Sequence, residues 1–345
     1  MHTIDLKNKG LRTDLIIDEI NSQKEEKIIS EIIIQEKNVT LEESKIDKNT
    51  ASIWHKKEGV YETISFTDIT DKNNFKQVEK VCIEGLKRVL KELNIKEEDK
   101  VLVVGLGNAS STPDALGPKT IDQVLVTRHL FLLGEVEDGY RNVASFKPSV
   151  TGSTGIETKD LIEGIVEKTK PDLLIVIDAL ASSSIERLNK TIQITTAGIS
   201  PGSGIGNNRI EISKDTLKIP VIAIGIPTVV DATTIVQNTL QLLLKQISYQ
   251  LDNQQNDKLK LVPIQTQNYK DHPSDLSNEQ KEDILGMVGL LDEQELKQLI
   301  LEVLLPVDYN MMVTPKEIDF LIDKLSLLLG NMINKSLHKN FNPTN

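Results

Sequence analysis

Apolar runs alternate with amphipathic segments over the middle of the chain, from about residue 73 to residue 250. The stretches 73–96 and 114–131 carry apolar residues at three- and four-residue spacing, which is typical of amphipathic helices. Continuous apolar runs near 100–105, 173–178 and 219–227 are typical of strands that are buried on both faces. The alternation predicts an α/β domain with a mostly parallel central sheet and helices on both faces.

The two ends of the chain show other patterns. Residues 1–70 are rich in charge and contain short β-like pieces, which predict a β-containing N-terminal extension of the domain. Residues 251–280 are polar and are typical of a linker or long surface loop. Residues 281–345 predict a helical region packed on the same domain. Its last long helix should start with Thr314 as N-cap, Pro315 in the first turn and Glu317 at capping-box spacing.

Composition narrows the range of partners and compartments. The chain has 345 residues and a formal net charge of −11, which disfavours nucleic acid or an anionic membrane as a direct partner. Cys82 is the single cysteine, so an internal disulfide is impossible and a reducing cytoplasm is expected. The first fifteen residues lack the apolar core of a signal peptide, and no stretch has the roughly 18 apolar residues of a membrane span.

Acidic residues stand where two predicted strands end. Asp114 lies in the loop after the strand 100–105, and Asp178 closes the apolar run of the next buried strand. Ligands of parallel sheets gather beyond the carboxyl ends of the strands, so both carboxylates are expected at one edge. A third strand, 219–227, breaks at a glycine and a proline and is followed by Thr228 and Asp231. Three strand ends of this kind at one edge of the sheet predict a functional site.

Two glycine-rich loops accompany these strand ends. Gly107 and Asn108 follow the first strand, and Gly202 and Gly204 lie in the segment 198–208. Their backbone N–H groups are candidate oxyanion donors and substrate-binding groups. The first loop lacks a full dinucleotide-binding pattern, and no P-loop pattern is present. A disordered surface loop remains the alternative for 198–208.

Structural roles compete with catalytic ones at the two aspartates, and the histidines give no metal pattern. Asp114 could cap the helix that follows it, and Asp178 could cap a helix near residues 182–188. The histidines at 2, 55, 129, 272 and 338 show no metal-ligand spacing. We therefore expect no metal and no other cofactor.

Several long blocks of the sequence resemble one protein family. They are GLGNASSTPDALGPKTIDQVLVTRHLF, GSTGIETKDLI, KPDLLIVIDALAS, TTAGISPGSGIGNNR and IPVIAIGIPTVVDATTI, with LRTDL before them and MMVTPKEIDFLID after them. In this order they resemble the germination proteases, or spore proteases, of endospore-forming bacteria. The likeness covers essentially the whole chain.

The resemblance implies an endopeptidase that degrades small acid-soluble spore proteins during germination. It also implies a homotetramer in the cytoplasm of the forespore and spore core, and a fold related to the hydrogenase-maturation endopeptidases. The two acids thought essential in the family fall on Asp114 and Asp178. The maturation endopeptidases use acids at these places together with a histidine to hold a metal, whereas the third strand-end loop here contains no histidine.

The resemblance further implies a zymogen that removes residues 1–16 by a cut near Ile16 and Ile17. A frayed N-terminus is the alternative for this segment. The α/β catalytic domain would then span 17–250.

A carboxylate pair can hydrolyse a peptide without serine, cysteine or metal. Two close carboxyl groups share one proton, so one can activate water while the other polarises the carbonyl group. The roles of the two aspartates stay open. A small-molecule hydrolase or phosphorylase on a similar sheet, and a non-enzymatic oligomeric scaffold, are the alternative functions.

Overall fold

The chain divides into two compact units in a computed structural model that describes residues 14–18, 29–54, 56–200, 210–253, 269, 276–304 and 311–341. The larger unit consists of Leu11–Val230 and Thr314–Asn345, and the smaller unit includes Asp231–Val313. The predicted strand–helix alternation up to residue 230 falls in the larger unit.

The described part of the larger unit contains eight strands. They are β1 (Ile29–Gln35), β2 (Val39–Ile46), β3 (Gly59–Phe66), β4 (Val101–Gly105), β5 (Val143–Phe146), β6 (Leu173–Ser182), β7 (Thr191–Thr195) and β8 (Val221–Asp231). Its described α-helices are α1 (Lys48–Trp54), α2 (Lys72–Glu92), α3 (Leu116–Ile121), α4 (Arg128–Leu133), α5 (Thr151–Thr154), α6 (Thr158–Thr169), α7 (Lys214–Leu217) and, after the smaller unit, α11 (Ile318–Leu337). Short 3₁₀ helices lie at Thr112–Asp114 and Ile185–Arg187.

These strands lie side by side in the order β1-β2-β3-β7-β8-β6-β4-β5. The pairs β5–β4, β4–β6 and β6–β8 are parallel, and the pairs β8–β7, β7–β3, β3–β2 and β2–β1 are antiparallel. The α/β prediction is confirmed, but the parallel pairing covers only one half of the sheet. The reversal at β7 follows from its connection to β6 through residues 183–190, which is too short for a crossover helix.

Helices cover both faces of the parallel half, as predicted. Alternate residues of β6 supply each face, because successive side chains in a strand point in opposite directions. Ile175 and Ile177 belong to the core that α2, α3 and α11 complete. Leu174 and Val176 belong to the core that α6 and α7 complete. The strands of this half are therefore packed against helices on both faces of the sheet.

The helix predicted over 114–131 is two short helices instead, α3 and α4. The side chain of Asn334 on α11 accepts a hydrogen bond from Leu125 N at 2.8 Å and donates one to Gln123 O at 2.8 Å. A tertiary contact thus satisfies backbone groups that a continuous helix would pair internally. The predicted helix at 73–96 is present as α2, with the Asp71 side chain as its N-terminal cap.

The predicted start of the last helix is wrong by three residues. Helix α11 has Glu317 as its N-cap, and the Thr314 hydroxyl instead donates a hydrogen bond to Thr228 O at 2.9 Å. The helix is fixed to α2 because Glu79 accepts hydrogen bonds from Asn331 and Lys335, each at 2.7 Å. Helix α11 thereby completes the core of the larger unit, whereas residues 281–313 belong to the smaller unit.

The smaller unit is helical in its described part. It contains α8 (Ala232–Asp252), α9 (Asn278–Leu285), a 3₁₀ helix (Gly286–Leu290), α10 (Glu293–Leu304) and the short strand β9 (Met312–Val313). Helix α10 contacts α8. Most of the predicted linker, 254–268 and 270–275, lies outside the described residues.

Candidate active site at the carboxyl edge of the parallel strands

Asp178 lies within strand β6, and not at its end as the sequence suggested. The strand continues to Ser182 because its partner β8 also continues, with Asp178 opposite Gly225 and Ser182 opposite Val230. The side chain is 6 % exposed, and its Oδ1 accepts a hydrogen bond from Ala179 N at 2.9 Å. This carboxylate therefore does not cap the 3₁₀ helix at Ile185–Arg187, whose N-cap is Ser184.

The neighbour on the other side of β6 ends much earlier. Strand β4 stops at Gly105, which pairs with Ile177, and one further bond joins Leu106 N to Ile177 O at 2.8 Å. Beyond this point β4 no longer pairs with β6. The opening at the acid thus results from the end of β4 and not from the end of β6.

Asp114 is carried by the loop that leaves β4 at this opening. It closes the 3₁₀ helix Thr112–Asp114, which contacts β6. Its Oδ2 accepts a hydrogen bond from Asn108 N at 2.8 Å, and its carbonyl oxygen lies 3.1 Å from the same nitrogen. Helix α3 begins after it with Ala115 as N-cap and no side-chain cap. The structure therefore gives Asp114 a place in the loop closure and not the predicted alternative as a helix cap.

Two glycines allow this loop to lie close to β6. Gly107 has a φ of +109°, and a Cβ there would lie 2.1 Å from Asp114 O. A Cβ on Gly117 would lie 2.2 Å from Leu106 O and 2.8 Å from Ile177 O. Any side chain at these positions would push the Asp114 loop away from the strand edge. The N–H of Asn108, predicted as an oxyanion donor, serves here to position Asp114.

The residues of the third strand end have structural contacts. Strand β8 runs through its glycine and proline instead of breaking there, since β6 pairs with it along this stretch. The Thr228 hydroxyl donates a hydrogen bond to Pro113 O at 2.7 Å and so holds the Asp114 loop. Asp231 belongs to the smaller unit, where its side chain accepts from Thr233 N and caps α8. Gly202 and Gly204 lie outside the described residues.

The segment around the predicted cut is buried and ordered against β6. Asp14 N donates to Ala181 O at 3.0 Å, and Ala181 N donates to Asp14 Oδ2 at 2.9 Å. Ile16 N donates to Gln193 Oε1 at 2.8 Å, and the Ile16 side chain is fully buried. Residues 16–18 are helical, and Ile17 is partly buried. The alternative of a frayed N-terminus does not describe residues 14–18.

Asp18 holds the C-terminal end of this segment, residues 14–18, against the rest of the larger unit. Its carboxylate pairs with Arg187 and accepts hydrogen bonds from Ser182 Oγ at 3.0 Å and Ser183 N at 2.8 Å. Burial lowers the pKa of Arg187, yet a guanidinium stays charged across the physiological range. Sequence reasoning missed the roles of Asp18, Arg187 and Gln193, since contacts between positions more than 160 residues apart leave no local signal.

The described residues of this edge do not make up the ligand set of a catalytic metal. Two carboxylates come from β6 and the Asp114 loop, while the third strand supplies the Thr228 hydroxyl, which is bonded to Pro113 O. Across the residues that the structure describes, no group of three or more His, Cys, Asp or Glu side chains is arranged to hold an ion. Three protein ligands are the usual minimum for a catalytic zinc.

A second buried acidic cluster lies in the antiparallel half of the sheet. The Glu62 carboxylate on β3 is fully buried and accepts from Arg88 Nε at 2.9 Å, and Arg88 also reaches Glu43 on β2 at 2.8 Å. Burial outweighs the Arg88 hydrogen bond and raises the pKa of Glu62 to about 7. Burial acts in the same direction on Glu43, but the hydrogen bonds from Arg88 and Lys45 lower the pKa of Glu43 overall. No local pattern in the sequence predicted this cluster.

No helix among the described residues is long and apolar enough to cross a bilayer.

Comparison with known proteins identifies the family. Residues 12–345 match the family model described as germination protease. The germination protease of Priestia megaterium is 44 % identical over 356 residues, which cover 97 % of this chain and 95 % of that protein. The germination protease of a Geobacillus species is 42 % identical over 366 residues, covering 99 % and 98 %.

Among solved structures, a [NiFe] hydrogenase maturation protease from Thermococcus kodakarensis aligns with 42 % of this chain and 80 % of its own. The sequence identity is 16 % and the TM-score is 0.28, which is too low to support an argument. The near-complete sequence matches carry the assignment alone. The chain belongs to the germination protease family of peptidases.

Proposed function

We propose that this protein is an endopeptidase of the spore that starts the breakdown of small acid-soluble spore proteins during germination. In this proposal Asp114 and Asp178 are the catalytic pair, and the protein is made in the forespore cytoplasm as a zymogen that removes residues 1–16 itself. Membership of the germination protease family supports the peptidase activity. The substrate and the self-processing come from the family resemblance.

The observation that carries the catalytic proposal is the early end of β4 beside β6. From Asp178 onward β6 no longer pairs with β4, and the Asp114 loop, which follows the bond from Leu106 N to Ile177 O, contacts β6 instead. The Gly107 conformation and the Thr228 hydroxyl hold that loop against the sheet. One acid lies in strand β6 and the other in the loop after β4, and each accepts a hydrogen bond from a backbone N–H. General acid–base hydrolysis of an amide requires two acids held in this way.

The proposed reaction uses one shared proton. The ionised carboxylate takes a proton from a water molecule as the water oxygen bonds to the peptide carbonyl carbon. The protonated carboxyl group donates to the carbonyl oxygen, which stabilises the developing charge. The C–N bond then breaks as a proton passes to the leaving nitrogen, giving a carboxylic acid and an amine. Either aspartate can start as the base, because the pair titrates as a unit.

The N-terminal segment accounts for latency in this proposal. Asp14 forms two hydrogen bonds with the backbone of Ala181, which lies three residues beyond Asp178 on the same strand. A substrate peptide that needs this edge would have to displace a segment that is covalently attached and buried. Removal of residues 1–16 would clear Asp14 and Ile16 from the edge and leave Asp18 on the mature chain.

We also propose that the active protein is a homotetramer. Helix α4 presents Leu132 and Leu133 to solvent, 74 % and 68 % exposed, which supports burial of this helix against another copy. Size-exclusion chromatography with light scattering should give a mass of four chains, and Leu132→Glu should reduce it. A monomeric wild-type protein at micromolar concentration would refute the assembly.

The catalytic proposal is tested by replacing each acid in turn. Asp178→Asn and Asp114→Asn should each lower the rate of cleavage of a purified small acid-soluble spore protein by at least a thousandfold, about 4 kcal/mol of barrier. Neither full-length variant should shorten itself under conditions that process the wild type. Asp122→Asn, which changes an exposed aspartate paired with Lys147, is the matched control and should cleave normally. Wild-type turnover in either test variant would remove that residue from the mechanism.

A further inference from the structure

The N-terminal segment binds β6 and β7 through main-chain contacts that do not depend on most of its side chains. Ala181 exchanges two hydrogen bonds with Asp14, one with its backbone N–H and one with its carboxylate. Gln193 on β7 accepts from Ile16 N at 2.8 Å and donates to Asp14 O at 3.3 Å. A peptide of another sequence could repeat three of these four bonds with its backbone alone.

The backbone of Ala181 lies on β6 beyond the end of β4 and is bonded to Asp14. Leu173 N bonds to Lys100 O beside β4, while Leu174 N bonds to Pro220 O beside β8. Ile177 O again faces the β4 side, where it accepts from Leu106 N. Regular alternation brings residue 179 to this side next, and the pairing of β6 with β8 shifts register between Leu180 and Ala181. Ala179 N bonds to the Asp178 carboxylate, and Ala181 bonds to Asp14.

The Asp178 carboxylate and the binding position of Asp14 therefore lie along the same part of strand β6. Residues of a strand rise about 3.3 Å each, so Ala181 lies three residues, or about 10 Å, along β6 from Asp178. Gln193 is 6 % exposed and is buried like the other residues of β7. Its amide group bonds to the N-terminal segment. A cut between Ile16 and Ile17 would take away the partners of both groups. Buried polar groups that lose their partners favour a replacement.

We propose that the Ala181 backbone and the Gln193 side chain are the main-chain-binding part of the substrate cleft, which Asp14–Ile16 fill before processing. The inference rests on the proposed peptidase function. A substrate peptide follows the path of Asp14–Ile16, bonding to the Ala181 backbone on β6 and to the Gln193 side chain on β7, beyond β8. Gln193 accepts from one substrate N–H and donates to a carbonyl two residues earlier. Gln193 is a substrate-binding residue that takes no part in proton transfer.

A binding cycle between Gln193 and one peptide N–H tests this contact directly. The ligand is a synthetic peptide of residues 12–17, and a second peptide carries a methyl group on the Ile16 nitrogen. The protein is the processed form, obtained by self-cleavage of the full chain or expressed from Ile17 and checked by its melting curve. Binding is measured by fluorescence anisotropy. N-methylation should weaken binding to the wild type three- to tenfold, and by less than twofold in Gln193→Ala.

Cleavage kinetics supply a second readout on the processed protein. Gln193→Ala should raise KM for a spore-protein peptide three- to tenfold and leave kcat within twofold, since the lost bond is made equally in the ground and transition states. Gln193→Met, which keeps the side-chain length, should behave alike if the alanine variant is poorly folded. Gln298→Ala, an exposed glutamine of the smaller unit, is the control and should change neither constant.

The two proposals fail in different ways. If N-methylation weakens binding to wild type and Gln193→Ala equally, or if KM is unchanged in both Gln193 variants, Gln193 does not bind the peptide and this inference is overturned. If the processed protein binds the peptide as described but cleaves no spore protein, the proposed function fails and the binding edge stands. In the full-length chain, Gln193→Ala should speed amide exchange in residues 14–18 at least tenfold.

Discussion

Two acidic centres lie in the same sheet and differ in how their carboxylates are held. In the antiparallel half, Glu62 and Glu43 share the guanidinium of Arg88, so a permanent positive charge sits between them. In the parallel half, backbone N–H groups of Asn108 and Ala179 contact Asp114 and Asp178 at the opening where β4 ends. The comparison shows that burial of an acid does not by itself indicate catalysis, because the glutamates lie under helix α2 and the aspartates at an open strand edge.

This difference predicts that changes at the two centres separate activity from stability. Changes at the aspartates should abolish cleavage and leave the folded protein nearly as stable as before. Changes at the glutamate cluster should lower stability and leave the cleavage rate of each folded molecule unchanged. Thermal unfolding and active-site-normalised rates, measured on the same samples, decide between these outcomes.

The largest effect outside the aspartates themselves is expected at Gly107. Gly107→Ala places a methyl group 2.1 Å from Asp114 O at a φ of +109°, so the Asp114 loop must move. A displacement of about 1 Å can cost about a hundredfold in rate, and we expect kcat/KM to fall at least that much. Gly152→Ala, where a Cβ meets nothing within 4 Å, is the control and should be fully active. Equal activity of the two variants would show that the placement of Asp114 is not critical.

A smaller effect, on stability alone, is expected at Arg88. Arg88→Met keeps much of the side-chain volume but leaves Glu43 and Glu62 without the guanidinium. Removal of one partner from a buried pair is strongly destabilising, and partial exposure of Arg88 reduces the loss here to about 2 kcal/mol. This loss of unfolding free energy is measured by urea unfolding. Lys159→Met, which breaks a surface pair with Glu163, should lower stability much less than Arg88→Met does. A catalytic defect in folded Arg88→Met would contradict the comparison.

The sequence allowed prediction of the elements whose signal is local. The apolar runs of β4, β6 and β8 and the periodicity of α2 identified the α/β fold, and the glycines around Asp114 indicated a special loop. The lengths of β6 and β8 were underestimated, because an acid or a proline inside a strand imitates a strand end. Only the pairing of Asp178 with Gly225 shows that both strands continue.

The parts that escaped prediction depend on contacts between distant residues. Asn334 replaces the backbone partners of residues 123 and 125 and so divides a helix that has a continuous apolar pattern. Gln193 meets Ile16 across 177 positions, and nothing in the local sequence TIQIT distinguishes it from a polar residue of a half-buried strand. Arg88 joins two strands from a helix in the same way. Such pairings exist only after the sheet has formed.

The pH dependence of stability sharpens the comparison further. Burial raises the pKa of Glu62 from 4.5 to about 7, so the folded state binds the proton more tightly than the unfolded state. This contribution to stability is complete below about pH 4.5 and is lost as the pH rises through about 7. The shift corresponds to about 3 kcal/mol at most, and screening through the partly exposed Arg88 reduces it to about 1–2 kcal/mol.

Glu62→Gln, which cannot ionise, should lack this fall in stability between pH 4.5 and 7. The difference in unfolding free energy between the wild type and this variant, followed by urea titration at several pH values, isolates the contribution. The pKa of Glu43 is lowered, so its own contribution is lost as the pH falls, in a more acidic range. Parallel pH profiles of the wild type and Glu62→Gln would show that Glu62 stays ionised in the folded protein.

The smallest expected effect concerns what balances the charge of the aspartate pair. Arg88 balances the glutamates, whereas we propose that a shared proton, and not a metal ion, balances Asp114 and Asp178. The third strand contributes Thr228, whose hydroxyl is bonded to Pro113 O, and the loop 201–209 contains no histidine, cysteine or acid by sequence. A divalent ion would therefore have two protein ligands at this edge, one fewer than catalytic zinc sites usually have.

Dialysis against EDTA should change the cleavage rate by less than twofold, with the thermal unfolding of the same sample as the control. Loss of activity that a single ion restores would show that the pair is a metal site and that its charge is balanced by a cation, as it is at Arg88.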